Sequence, residues 1–172
     1  MSAIAPLVTI SVGIVIERTK GAGPWSDFLW RPVNVLTGVP DTPAWTKLSD
    51  DGERVTFYAG SADIELFRSE ASNYRENVMI EAPLLWIALR PTQADPPYVV
   101  AGVTADPAEG EAWAGIGNDI VETVPMPEAV EEVVAAFVSE HYVEQAFRKR
   151  KRDRVDPEAL GRRAPKSDDG KP

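Results

Sequence analysis

The chain has 172 residues, 44% of them hydrophobic, with no cysteine, a single histidine (His141) and a formal net charge of −9. This length and composition fit one domain able to bury a substantial core. Without cysteine, disulfides, thiolate metal sites, iron–sulfur ligation and a Cys nucleophile are excluded; one histidine excludes a multi-histidine metal site within one chain.

In chain order, Val8, Ile10, Val12, Ile14 and Ile16 alternate with Thr9, Ser11 and Gly13, the period of a half-buried strand. The turn residues Thr19 to Pro24 break it. The apolar start, Met1 to Ile16, lacks a cationic n-region, and the strand period argues against a signal peptide. A second strand is predicted from about Phe28 to Leu36. Pro32 removes a ladder donor there, so the strand belongs at an edge or a bulge. Asp50-Asp51-Gly52 is a turn, and Val55/Phe57 with Ile64/Leu66 around Gly60-Ser61 read as a hairpin. Leu84 to Leu89 is a continuous apolar run and predicts a strand buried on both sides. Pro91 to Pro97 then turns the chain, and Tyr98 to Val103 pairs back, for a total of six strands or so.

Helices are expected later. Asp106-Pro107-Ala108-Glu109 has the capping acid, the first-position Pro and the third-position Glu of a helix start, with an end near Gly115 or Gly117. Ile120 to Val124 adds a short strand. Pro127 opens the longest helix, to about Phe147, with Val130, Val133, Val134, Phe137, Val138 and His141 at helical spacing. The expected fold is α+β: a mostly antiparallel, strongly curved or barrel-like sheet with a C-terminal helix packed on it. One β-rich domain is expected over residues 1–154, with a disordered polar tail over 155–172. No segment reaches the ~18 uninterrupted apolar residues of a spanning helix, and the expected location is cytoplasmic, with no membrane partner.

Charge changes sharply after Phe147. Of 18 Lys+Arg, 10 follow it, leaving 8 before; of 27 Asp+Glu, 5 follow it, leaving 22 before. The change opens with Arg148, Lys149, Arg150, Lys151, Arg152, Asp153 and Arg154. An acidic body with a basic arm reads as a docking protein. Two other readings are phosphate neutralisation on nucleic acid and a solvated helix end complementing the helix dipole. The acidic body and the lack of aromatics among the cations disfavour nucleic acid.

Trp25, Phe28 and Trp30 form an aromatic group that serves either as core and rim of a sheet or as a partner surface. Arg31 can stack on Trp30 or pair with Glu17. His141 reads as a satisfied histidine near a helix end, since neighbours on one helix do not make a triad. No pair of carboxylates is marked by spacing, and Gly13, Gly21 and Gly23 do not form a phosphate loop. No catalytic residue, metal or cofactor is assigned.

Five segments carry a family resemblance: Gly13 to Arg18, the Pro24-Trp25 to Trp30-Arg31-Pro32-Val33 stretch, Tyr74-Arg75-Glu76-Asn77, Val124 to Pro127, and Glu144 to Lys151. Together they resemble a proteobacterial domain-of-unknown-function family encoded near formate dehydrogenase and its accessory genes. Many members are labelled molybdopterin-guanine dinucleotide biosynthesis protein A. The resemblance implies an accessory role in molybdenum- or tungsten-dependent formate oxidation. A guanylyltransferase of that name opens with a strand and a Gly-rich loop bearing Arg and Lys. Here Glu17-Arg18-Thr19-Lys20-Gly21 follows the strand instead.

The expected function is therefore a non-enzymatic accessory or adaptor protein. Its protein partner, a formate dehydrogenase subunit or accessory protein, would meet Trp25, Trp30 and Arg31 and the segment Phe147, Arg148, Lys149, Arg150, Lys151 and Arg152. Two alternatives remain. One is a nucleotide- or molybdopterin-binding enzyme of cofactor biosynthesis, with Arg18, Lys20 and Arg31 on the phosphates. The other is nucleic-acid binding through the tail.

Overall fold

The computed structural model describes residues 3–24 and 27–144. The expectations for Trp25, for the run from Phe147 and for the tail lie outside those residues. The fold is α+β, and the described residues form seven strands in two antiparallel sheets. The first sheet holds β1 (Val8–Thr19), β2 (Leu29–Thr37), β3 (Thr46–Asp50) and β4 (Arg54–Leu66), in the order β2-β1-β4-β3. The second holds β5 (Leu84–Pro91), β6 (Tyr98–Thr104) and β7 (Ile120–Pro125), in the order β6-β5-β7. β4 runs close to β6, and β2 to β7, so the sheets adjoin along two seams without merging into one closed ladder.

Local sequence explains much of this. Pro32 lies on β2, which is both an edge strand and bulged: Ile16 faces Pro32 while Val15 faces Asn34, leaving Val33 as the extra residue. Leu85, Ile87 and Leu89 are fully buried on β5, the centre of its sheet. In the turn before β4, Asp51 accepts from the amides of Glu53 and Arg54 at 3.0 and 2.7 Å. Asp50 accepts from Gly52 N at 3.0 Å and from Lys47 Nζ at 2.8 Å.

Those bonds set the acid response of the turn. The Lys47 ammonium foremost, then the Gly52 amide, hold Asp50 below the ordinary carboxylate value of 3.8; the amides of Arg54 and Glu53 do the same for Asp51. A lowered folded value stabilises above the ordinary value, and the gain is lost as pH falls through the lowered one. Asp50→Asn combined with Asp51→Asn is expected to flatten the fall in denaturant midpoint as pH drops below about 4. Curves parallel to wild type would show that the turn contributes nothing.

The reading of Gly60-Ser61 as a hairpin is corrected: β4 runs straight through it. β1 has 12 residues and pairs with both halves of β4, from Leu66 back to Gly60 and from Tyr58 back to Arg54. Ala59 is the extra residue of a bulge, and Gly60, at φ 116°, absorbs the distortion without reversing the chain.

Among the described residues, three α-helices pack on this framework. Before α1 (Ala71–Val78) comes a 3-10 turn, Arg68–Glu70; neither, nor β3, was expected from the sequence. α2 (Pro107–Ala114) starts as expected, with Asp106 accepting from Ala108 N and Glu109 N. α3 (Glu128–His141) ends before the expected Phe147, because Tyr142 turns to an extended backbone. α3 lies mainly alongside α1, and Val130, Val134, Phe137 and Val138 enter the same core as Ile14, Ile16 and Leu85. Val133, expected on that face, is instead 39% exposed.

Tyr74 on α1 is buried, and burial pushes its phenol up to about 12. It therefore stays protonated, accepting from Phe67 N and donating to Glu65 O. Gly110 is buried on α2 directly beneath the Trp86 indole, where a Cβ would overlap the ring. Gly110→Ala is expected to cost about 1–3 kcal/mol through overpacking, more than the roughly 1 kcal/mol that alanine returns in helix propensity. Thermal unfolding tests this; a raised Tm would mean that the indole moves aside freely.

Candidate functional site

β1 is regular, so successive side chains alternate between its faces; the bulges lie on its neighbours β2 and β4. Arg18 therefore shares a face with Ile14 and Ile16, and Glu17 takes the other. In register, Arg18 faces Trp30 on β2, and Glu17 faces Arg31. Four residues adjacent in pairs along the sequence are thus sorted onto two sides of the sheet.

On one side, Arg31 Nη2 reaches Glu17 Oε1 at 3.0 Å and Arg31 Nε reaches the same oxygen at 3.2 Å. Glu17 is only 7% exposed, so the pair neutralises a nearly buried carboxylate. Of the two sequence expectations for Arg31, the structure shows pairing with Glu17. Removing Arg31 would leave the Glu17 carboxylate uncompensated, yet the Arg31 side chain itself stays 59% exposed while it makes this pair.

On the other side, aromatic rings gather around Arg18. Trp30 stacks on Phe57 with centroids 5.8 Å apart, meets Trp45 edge-on at 6.0 Å and lies 6.2 Å from Tyr98 of the second sheet. The Arg18 guanidinium sits 4.3 Å from the Phe28 ring centroid, 5.4 Å from Phe57 and 5.6 Å from Trp30. Such cation–ring contacts contribute about 0.5–2 kcal/mol each, more when water is excluded. Arg18 Nε is buried and has no hydrogen-bond partner among the described residues. A buried donor left unsatisfied costs about 1–3 kcal/mol.

This cluster forms one wall of a cleft of about 560 Å³ where β1, β2 and the β5–β6 turn come together, lined by Arg18, Asp27, Phe28, Trp30, Asp95 and Tyr98 among others. The volume lies in the usual range for ligand pockets, and the mix of rings with a few polar groups is their usual chemistry. A second groove of about 410 Å³ follows the β4–β6 seam, where Asp63, Glu65 and Glu109 make it acidic. Asp63 there already accepts from Ser11 Oγ at 2.6 Å.

Of the residues singled out in the sequence, Trp30 lies in the cleft, while Arg31 is held on the opposite face by Glu17. Arg18 and Arg31 consequently do not converge, and Lys20 is not among the cleft residues. Trp25 and the run from Phe147 to Arg152 lie outside the described residues. His141 ends α3, with its ring 4.5 Å from Phe137 and Nε2 3.7 Å from Glu140 Oε2, a helix-end environment. No group of three or more His, Asp or Glu able to hold a metal occurs among the described residues. From the sequence, the role expected of Arg18 is a phosphate contact alone. A sequence signal for its real setting does exist, since it continues the in-phase series Val12, Ile14, Ile16 and puts a cation on an apolar face.

The sequence profile of a family described as a protein of unknown function, DUF3305, matches residues 11–151. The chain belongs to the DUF3305 family. The matched span starts within β1 and takes in every residue that lines the cleft. Among the curated proteins and the solved structures, nothing matches this DUF3305 chain. Its Tyr74-Arg75-Glu76-Asn77 segment is structural: Tyr74 and Asn77 are buried, and the Arg75 guanidinium lies 4.8 Å from the Tyr142 ring centroid. No described helix is long and apolar enough to cross a membrane.

Proposed function

We propose that this DUF3305 protein is a non-enzymatic accessory or adaptor protein that docks a protein partner, in a molybdenum- or tungsten-dependent formate dehydrogenase system. The setting follows from the resemblance described above. Docking is assigned to two features: the basic segment Arg148–Arg152 after Phe147, and the aromatic end of the first sheet around Trp30. The observation that carries this reading is the sorting of Arg18 and Arg31 onto opposite faces. It separates the cations that a nucleotide site would need together, while leaving an aromatic cleft open for recognition. Aromatic and arginine side chains are those most enriched among the anchors of protein interfaces.

Affinity capture from native extract with the full chain tests the proposal. A formate dehydrogenase subunit or accessory protein is the expected catch. Replacing Arg148, Lys149, Arg150, Lys151 and Arg152 by Gln should abolish it. Capture should also weaken as salt shortens the Debye length from about 10 Å at 0.1 M to about 3 Å at 1 M. Capture indifferent to both changes would leave the basic segment without a docking role. A second reading, a nucleotide- or molybdopterin-binding enzyme, draws on the Arg18 cleft itself. Co-purifying nucleotide, or guanylyl transfer from GTP with magnesium above a no-protein control, would establish it in place of the first. Co-purifying nucleic acid would instead favour binding through the tail.

A further inference from the structure

We infer that the Arg18 cleft is a carboxylate-recognition pocket: it takes an Asp or Glu side chain of a partner segment, flanked by an apolar residue and a cation. The inference rests on the docking reading and gives it a chemical address. A guanidinium is planar, with N–H donors arranged in a fork that matches a carboxylate. Phe28, at 4.3 Å, together with Phe57 and Trp30, crowds the Arg18 group and restrains its orientation before any ligand arrives. Donors restrained in this way lose less freedom on binding. Arg18 lines the cleft while its buried Nε has no acceptor among the described residues, so no protein carboxylate already holds that edge of the guanidinium.

The neighbouring charges narrow the ligand class further. Asp27 and Asp95 line the same cleft. Two carboxylates close by repel a phosphate carrying nearly two charges more strongly than a single carboxylate. They also attract a Lys or Arg placed next to that carboxylate. The walls formed by Trp30, Phe28 and Tyr98 accept the apolar neighbour. A segment of the type apolar–acid–base, whose cation offsets the repulsion that Asp27 and Asp95 also exert on its acid, therefore fits better than a free phosphate.

The test is a titration of the 15N-labelled full chain, following the Arg18 Nε–Hε resonance, which is assigned by its loss in Arg18→Lys. Acetyl-Phe-Glu-Lys-amide is expected to move this resonance saturably, and the Gln analogue to bind at least about tenfold more weakly. Inorganic phosphate should leave it in place. Arg18→Gln should lose the preference for Glu over Gln, and so should Arg18→Lys, which keeps the charge without the planar fork. The amide spectrum of each variant shows whether it is folded. Equal binding of the two peptides, a phosphate response stronger than the peptide's, or no response at about 10 mM peptide would overturn the inference. If the peptides fail while the basic segment still captures a partner, only this inference falls. If the Glu peptide binds with the stated preference but no protein is captured, the pocket stands and the docking reading falls.

Discussion

Phe137→Ala is expected to destabilise the protein by about 3–5 kcal/mol, the usual cost of deleting a buried aromatic ring. Phe137 is 3% exposed and meets the Tyr74 ring edge-on, with centroids 5.8 Å apart. It joins α3 to α1, and both helices to the core shared with β1 and β5. The cavity would open between helices, where inward collapse is limited by Tyr74, whose hydroxyl is bonded to Phe67 N and Glu65 O. Val133→Ala, on the same helix but partly exposed, should cost well under about 1 kcal/mol. Urea unfolding with unchanged slope would measure both. Equal costs would mean that α3 does not present the face described.

Asn77→Ala is expected to cost about 2–4 kcal/mol, for a different reason. Asn77 is 2% exposed, and its amide donates to Leu84 O and Ala105 O, both at 2.8 Å. Its carbonyl oxygen accepts from Leu84 N at 3.0 Å. One side chain therefore ties α1 to the start of β5 and to the residue after β6. Alanine would leave these backbone groups unpaired in a dry environment, at about 1–3 kcal/mol for each that finds no substitute. Hydrogen exchange offers a local check, because the Leu84 amide should lose protection before its neighbours on β5 do. Retained protection at Leu84, with unchanged stability, would show that water replaces the side chain at little cost.

Much of the fold was legible because its signals are local. The period of Val8 to Ile16 needs only one strand to be read, and so does the buried run Leu84 to Leu89. The Asp106-Pro107 helix start and the Asp50-Asp51-Gly52 turn are closed by hydrogen bonds across two or three residues. Pro32 restricted β2 to an edge or a bulge through its missing donor, and the structure has both. α1 escaped notice because its apolar face is short: Ala71 and Tyr74 are its buried nonpolar residues, and Asn77 is buried only through bonds to Leu84 and Ala105. No periodicity within the helix announces that.

The sequence by itself therefore determined the strand-rich class, the boundaries of most elements and the split between an acidic body and a basic arm. Each depends on residue type or on spacing along a few positions. Only the tertiary structure decided that Gly60 bulges a continuous strand, that Glu17 is nearly buried and held by Arg31, and that Arg18 meets Phe28, Trp30 and Phe57 beside Tyr98. Those outcomes depend on register between strands distant in sequence. A shift of one residue in that register would exchange the two faces of β1, placing Glu17 where the rings now surround Arg18.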